Sequence, residues 1–282
     1  MQSSLPTRAG VSESLAQGEV RDLAKTFSDH WGGRFDPIDS AELARARELF
    51  NRLLTNIDDP DIGGHLEALG LSSCRFTTPN GPVRVVHERE HDRRGRGVFA
   101  FRGESASLAI LQAPHTRNDL GTGLITGAWM AHLDMRAAAW NTVSRRGGAG
   151  ADLARARQSY FTALTDAAID TLLVPLVIQV HGYAPERRAT RAGRDSRVIV
   201  SSGRLRSNRC TRQITRRLSR HIAPVRLFPR DIEELGATQN PVGSLLHQRE
   251  RGEFVHIELA RELREHLRQE HTLSLELGRC LL

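Results

Sequence analysis

The chain has 282 residues, 39% of them hydrophobic and 26% charged, which is enough for one sizeable core and is the balance of a folded globular protein rather than a disordered one. No apolar run approaches the roughly 20 residues that span a bilayer, and residues 1–10 contain no apolar signal core, so no membrane role and a cytoplasmic address are expected. The formal charge of +7 and pI ≈ 10.4 raise nucleic-acid binding as a function. However, Lys25 is the sole lysine, the arginines are spread among acidic residues, and a nucleic-acid partner is not expected.

Residues 1–72 are expected to form an N-terminal lead-in and a helical segment, and residues 73–282 an α/β domain. Up to about residue 40 the chain is mixed and polar, as in a loosely docked lead-in. Ser40 is placed to cap a helix whose apolar stripe is Leu43, Leu49, Phe50, Leu53 and Leu54. Strand patterns then take over, with Pro79-Asn80-Gly81 as a hairpin-type turn before Val83, Val85 and Val86, and a further strand at 98–101. The apolar run 108–111 ends at Pro114 and delivers His115, Arg117, Asn118 and Asp119 before Gly121-Thr122-Gly123 and a helix at 124–133. A short strand is expected at 137–143 and a helix at 152–169.

The continuous apolar run 176–180 reads as a strand covered on both faces and ends in His181-Gly182-Tyr183. A strand at 198–200 leads into the densest basic run, 204–220, read as the solvated face of a helix whose buried stripe is Cys210, Ile214 and Leu218. Strands at 225–228 and 254–258, a glycine-bearing loop at 235–243 between them, and a helix at 259–267 complete the pattern. The alternation of strands and helices predicts an α/β fold, a three-layer α/β/α arrangement around a mostly parallel or mixed central sheet. Cys74, Cys210 and Cys280 are odd in number, far apart and without a Cys-x-x-Cys pair. That fits a reducing compartment and argues against a disulfide framework or a thiolate zinc site.

Three polar clusters stand at or just beyond the ends of apolar strands: His115 with Asp119, His181, and Glu258. Two imidazoles and one carboxylate can hold a zinc ion with a fourth position left for water. A further carboxylate beside that water can take its proton and pass it to a leaving nitrogen. A second motif, His87-Glu88-Arg89-Glu90-His91, matches His-Glu-x-x-His. That motif works only on a helix, and Val83, Val85 and Val86 before it read as a strand. Ser201-Ser202-Gly203 has no Gly-x-Ser-x-Gly surroundings and is not a nucleophile elbow. His256 alternates with Val255 and Ile257 and reads as a packed strand histidine, while Thr238-Gln239-Asn240 lies in a loop where it can hydrogen-bond a substrate amide or form a turn.

These residues carry a resemblance. From about residue 98 to 267 the chain resembles the zinc carboxypeptidase and acylamino-acid amidohydrolase fold group, which includes N-formylglutamate amidohydrolases and poly-γ-glutamate hydrolases. Members have a first His with a nearby acid after a strand, a second His in an Ile-His-Ser-Tyr context, and a late Glu in a Phe-x-Phe-Glu-Leu-Arg strand. Here the matching positions are His115 and Asp119, then Val180-His181-Gly182-Tyr183, then Phe254-Val255-His256-Ile257-Glu258-Leu259. The carboxypeptidase spacing is His-x-x-Glu, whereas here Asn118 stands at that place and the acid is Asp119. The resemblance implies a carboxypeptidase-like fold, Zn²⁺ bound by His115, Asp119 and His181, and Glu258 as general base. It also implies a metal-dependent hydrolase acting on an amide or peptide bond next to a carboxylate in a small-molecule or peptide substrate. Arg145 is the candidate for orienting that carboxylate, with Asn141, Tyr183 and Asn240 as further substrate contacts. A non-catalytic binding domain of the same fold and an arginine-rich nucleic-acid-binding protein are the alternatives.

Overall fold

Alternation builds the sheet. In β3 (Val98–Arg102), Val98 and Ala100 pack into one core and Phe99 and Phe101 into a second, as a strand covered on both sides requires. The computed structural model describes residues 32–103 and 107–282. The other strands are β1 (Leu71–Thr78), β2 (Gly81–Glu88), β4 (Ala109–Ala113), β5 (Ala137–Trp140), β6 (Leu176–Tyr183), β7 (Val198–Ser201), β8 (Val225–Leu227) and β9 (Glu253–Ala260). All nine form one mixed sheet in the order β1-β2-β3-β5-β4-β6-β9-β7-β8. Its centre, β5-β4-β6-β9, is parallel. β1 to β3 join antiparallel on one side, and β7 returns antiparallel to β9 on the other.

Helices cover both faces, so the expected three-layer α/β/α fold with a mixed sheet is the one observed. One face is covered by α1 (Ser40–Thr55), α2 (Ile62–Ala68), α4 (Tyr160–Thr171) and α7 (Pro241–Gln248), which contribute Leu49, Phe50, Leu66, Leu164 and Val242 to one core. The other face carries α3 (Thr122–His132), α6 (Arg209–Leu218), α8 (Arg261–Gln269) and α9 (His271–Arg279), whose Trp129, Ile214, Leu263 and Leu277 fill the second core. A one-turn helix, α5 (Arg191–Asp195), precedes β7. No helix among the described residues is long and apolar enough to cross a membrane.

The expected lead-in lies outside the described residues up to position 31; from there the chain is docked, with Phe35 and Ile38 buried. Asp39 rather than Ser40 caps α1, accepting from the Glu42 amide at 2.7 Å. The helix expected at 152–169 starts only at Tyr160, because Ser159 and Thr162 form a reciprocal capping box there. The preceding residues are left as turns. The expected loop at 235–243 hands over to α7 at Pro241, where Asn240 caps the first turn and proline suits the first helical position. β9 runs on to Ala260. His87 and Glu88 are the last residues of β2, and His91 lies in the turn beyond. The His-Glu-x-x-His match therefore has no helical face on which to align its imidazoles.

Candidate metal centre

β4, β6 and β9 lie side by side with Gln112 opposite Gln179, Gln179 opposite His256, and His181 opposite Glu258. Residues that alternate along a strand share a face. Ile178, Val180, Val255 and Ile257 therefore pack into one core, while Gln112, Gln179 and His256 form a buried polar row on the opposite face. His181 and Glu258 stand one step nearer the strands' C-terminal ends. His115 follows β4 after Pro114. The Asp119 amide donates to the His115 carbonyl at 2.7 Å, closing one turn of helical type that brings both side chains to one side. Gly121, at φ 94°, then turns the chain into α3, a conformation that glycine adopts without steric cost.

His115, Asp119 and His181 are all buried, with one ligand atom of each within 4.8 Å of the others. Asp119 Oδ2 is 3.5 Å from Nδ1 of His115 and 3.5 Å from Nδ1 of His181. Donors bound tetrahedrally at about 2.1 Å stand about 3.4 Å apart, so the carboxylate oxygen sits as one corner beside two imidazole corners. The far nitrogen of each ring has an acceptor: His115 Nε2 donates to Asp152 Oδ1 at 2.8 Å, and His181 Nε2 faces Gln179 Oε1 at 3.4 Å. A carboxylate or carbonyl on the far nitrogen is the usual way in which a metal-ligating histidine is oriented. The trio can hold a metal ion.

Electrostatics agrees with this geometry. Burial, reinforced by the His256 ring 4.5 Å away, lowers His181 to about 4, so its ring is neutral at pH 7 and available as a ligand. Burial also works to lower His115, but Asp119 and Asp152 outweigh it and hold the ring at about 9. Desolvation raises Asp119, yet its bonds to His115 and His181 prevail and keep it well below the usual carboxylate range.

Beside the trio, Glu258 Oε1 lies 3.3 Å from His256 Nε2, while Glu258 Oε2 is buried with no hydrogen-bond partner among the described residues. A buried, unpartnered carboxylate oxygen costs of order 1–3 kcal/mol or more, and such groups belong where something else is to be bound. All of these groups line one cleft of ≈ 710 Å³, together with Arg145, Arg187, Arg188, Arg261 and Arg268. Arg264 is buried in its wall, where desolvation lowers its pKa. It donates from Nε to the Leu120 carbonyl at 2.8 Å and from its guanidinium to Leu259 at 2.7 Å and Tyr183 at 3.3 Å.

Of the residues expected at the site, His115, Asp119, His181 and Glu258 come together, and Arg145 stands exposed at the rim with its amide held by Asn118 Oδ1 at 2.9 Å. Three others serve the fold with their polar ends. Asn141 is fully buried away from the cleft, donating to the carbonyls of Pro114 and Ala151 and accepting from the Val143 amide. Tyr183 lines the cleft, but its hydroxyl donates to the Ser196 carbonyl. Asn240 donates to Gln179 Oε1 at 2.7 Å while capping α7.

Asp152 and His256 were not singled out for the site. The i, i+2 spacing of His256 and Glu258 on one strand, which puts both on one face, is the signal for His256. Asp152 left no local signal. Arg261, Arg264 and Arg268, spaced three and four apart on α8, share a helical face toward the cleft and were legible as such.

No family model and no curated protein matches the chain. In fold it is similar to an N-formylglutamate amidohydrolase from Ralstonia eutropha JMP134, with 13% identity and a TM-score of 0.47 over 67% of this chain and 96% of that one. It is also similar to a bacteriophage poly-γ-glutamate hydrolase, with 10% identity and a TM-score of 0.37 over 61% and 80% of the two chains. A candidate carboxypeptidase from Burkholderia mallei ATCC 23344 aligns at 13% identity and a TM-score of 0.42 over 88% of this chain and 67% of that one. The likeness is distant.

Proposed function

We propose that the protein is a zinc-dependent hydrolase of an amide or peptide bond next to a carboxylate, with N-acylated amino acids, γ-glutamyl chains and C-terminal peptide residues as the candidate substrates. The observation that carries this reading is the buried His115–Asp119–His181 trio, spaced for one tetrahedral ion, beside the unpartnered Glu258 carboxylate oxygen. His115 and His181 would bind through Nδ1 and Asp119 through Oδ2. A zinc ion there supplies Lewis acidity that polarises a carbonyl oxygen and acidifies a water.

The chain's own residues carry the proton and the substrate. Glu258 accepts the proton of the attacking water as its oxygen bonds to the carbonyl carbon, then donates it to the amide nitrogen as the carbon–nitrogen bond breaks. His256, bonded to Oε1 of Glu258, leaves Oε2 as the oxygen free to take that proton. Arg145 and the arginines lining the cleft give the substrate carboxylate a guanidinium partner. Asp152 and Gln179 hold the two imidazoles in orientation.

Metal analysis of the purified protein tests the centre. Wild type is expected to carry one equivalent of zinc, and His115→Ala and His181→Ala each far less. Glu258→Gln should keep its zinc and lose on the order of 10²–10⁴-fold in turnover of an N-acylamino acid panel. Wild-type protein that takes up no divalent metal would leave this fold as a binding domain.

A further inference from the structure

Charge is segregated in this chain rather than spread, contrary to the expectation from the sequence. Residues 196–230 hold ten arginines and no aspartate or glutamate, which leaves 30 basic against 33 acidic residues in the remainder, a net −3 beside the segment's +10. The segment folds as β7, α6 and the outermost strand β8, at one border of the sheet. Arg209, Arg212 and Arg216 recur at spacings of three and four along α6 and so share an arc of about 60°. That arc lies opposite the buried Thr211, Ile214, Thr215 and Leu218. Arg204 and Arg206 line the same hollow of ≈ 500 Å³ as Arg209 and Arg212, with Glu250 and Glu253 from outside the segment also in its lining. All five are exposed, and among the described residues none of them forms an ion pair.

Like charges at these spacings repel one another, so a polyanion would stabilise this face. A protein partner is disfavoured because interfaces have an apolar centre. Here the apolar stripe of α6 is turned inward and Leu205 is the only large exposed hydrophobic among the described residues of the segment. A membrane surface is disfavoured for the same reason, since surface-bound helices need an exposed apolar face. A phosphate polymer requires only regularly placed cations, and guanidinium forks fit phosphate oxygens bidentately. The segment's one Phe, Tyr or Trp side chain, Phe228, is buried, which removes base stacking and leaves the backbone as what is recognised. We propose that the arginine face of α6, with Arg204 and Arg206, binds the phosphodiester backbone of nucleic acid without base selectivity. This surface is distinct from the cleft and independent of its metal.

The test is fluorescence polarisation of the full chain with a labelled duplex of about 20 base pairs. Affinity should fall linearly with log salt at a slope of about −3 to −5, and the triple variant Arg209→Gln/Arg212→Gln/Arg216→Gln should bind at least tenfold more weakly near 50 mM salt with a slope shallower by about 2–3. A control with the same charge loss, Arg45→Gln/Arg191→Gln/Arg249→Gln, should bind within about threefold of wild type. Circular dichroism and zinc content, unchanged in both variants, show that each is folded. Absence of salt-dependent binding, or an equal loss in both triples, overturns the proposal. So does capture by phosphatidylserine vesicles through these arginines without capture of the duplex.

Discussion

Asp152 is the residue on which the orientation of the centre turns. It lies outside the trio, yet its carboxylate accepts from Nε2 of His115 and leaves Nδ1 facing Asp119. Asp152→Ala is expected to weaken zinc binding by about 10–100-fold with the three proposed ligands intact, read by chelator competition; an unchanged Kd would show that Asp152 does not orient the ring. The same pair sets a pH dependence in the metal-free protein. His115 sits at about 9 in the fold, above the unfolded value near 6.5, so its contribution to stability is full below about pH 6.5 and is lost as pH rises through 9. His181 sits at about 4, below that reference, so stability rises with pH between about 4 and 6.5 as the unfolded ring loses its proton. The thermal midpoint of metal-free protein should therefore peak near pH 6.5 and fall toward pH 9. Saturating zinc should remove the alkaline fall, since the His115 proton has by then been displaced. The three residues of the proposed centre could be picked out in the sequence because His115 and His181 follow apolar runs and Asp119 stands four residues after His115. Asp152 was not, because its meeting with His115 across 37 positions depends on a loop whose alanines and charges read as helix.

At the scale of elements, the site stands where β4, β6 and β9 end together, and Arg264 ties those ends to one another. Its guanidinium reaches the carbonyls of Tyr183 and Leu259 by passing over Gly182, and a Cβ at Gly182 would collide with it. Gly182→Ala should therefore displace Arg264 and release the Leu120 loop, costing roughly 1–3 kcal/mol as an overpacked position does, measured by urea denaturation. The displacement should also raise KM for substrate more than it changes zinc content; a variant as stable as wild type would mean that Arg264 has another path. The central strands were readable from continuous apolar runs such as 176–180, and α1 and α6 from periods of three and four. Helix starts were less so. At Ser159 and Asn240 a side chain's competition for backbone amides decided the boundary, and the apolar pattern around it had pointed elsewhere.

Across the whole molecule, the layer formed by α1, α2, α4 and α7 is fastened to the sheet by charge as well as by apolar packing. Glu42 on α1 accepts from Arg96 at 2.6 and 3.1 Å and from the Tyr160 hydroxyl on α4 at 3.0 Å, and Arg96 is 2% exposed. The apolar stripe of α1 could be read from the chain, but this contact could not, since it joins residues 54 and 118 positions apart. It bears on whether residues up to 72 form a unit apart from the sheet. If they do, losing Glu42 loosens only that segment; if α1 is a layer of one cooperative fold, the whole molecule feels the loss. Glu42→Ala leaves the Arg96 charge buried without its carboxylate, which costs roughly 3–5 kcal/mol. The expected outcome is a single denaturation transition shifted to lower urea, with helical and tryptophan signals moving together. With Trp31 replaced by Phe, the remaining Trp129 and Trp140 lie on the far side of the sheet from α1, so a tryptophan signal that held its wild-type midpoint while helicity fell would assign the N-terminal segment an independent fold.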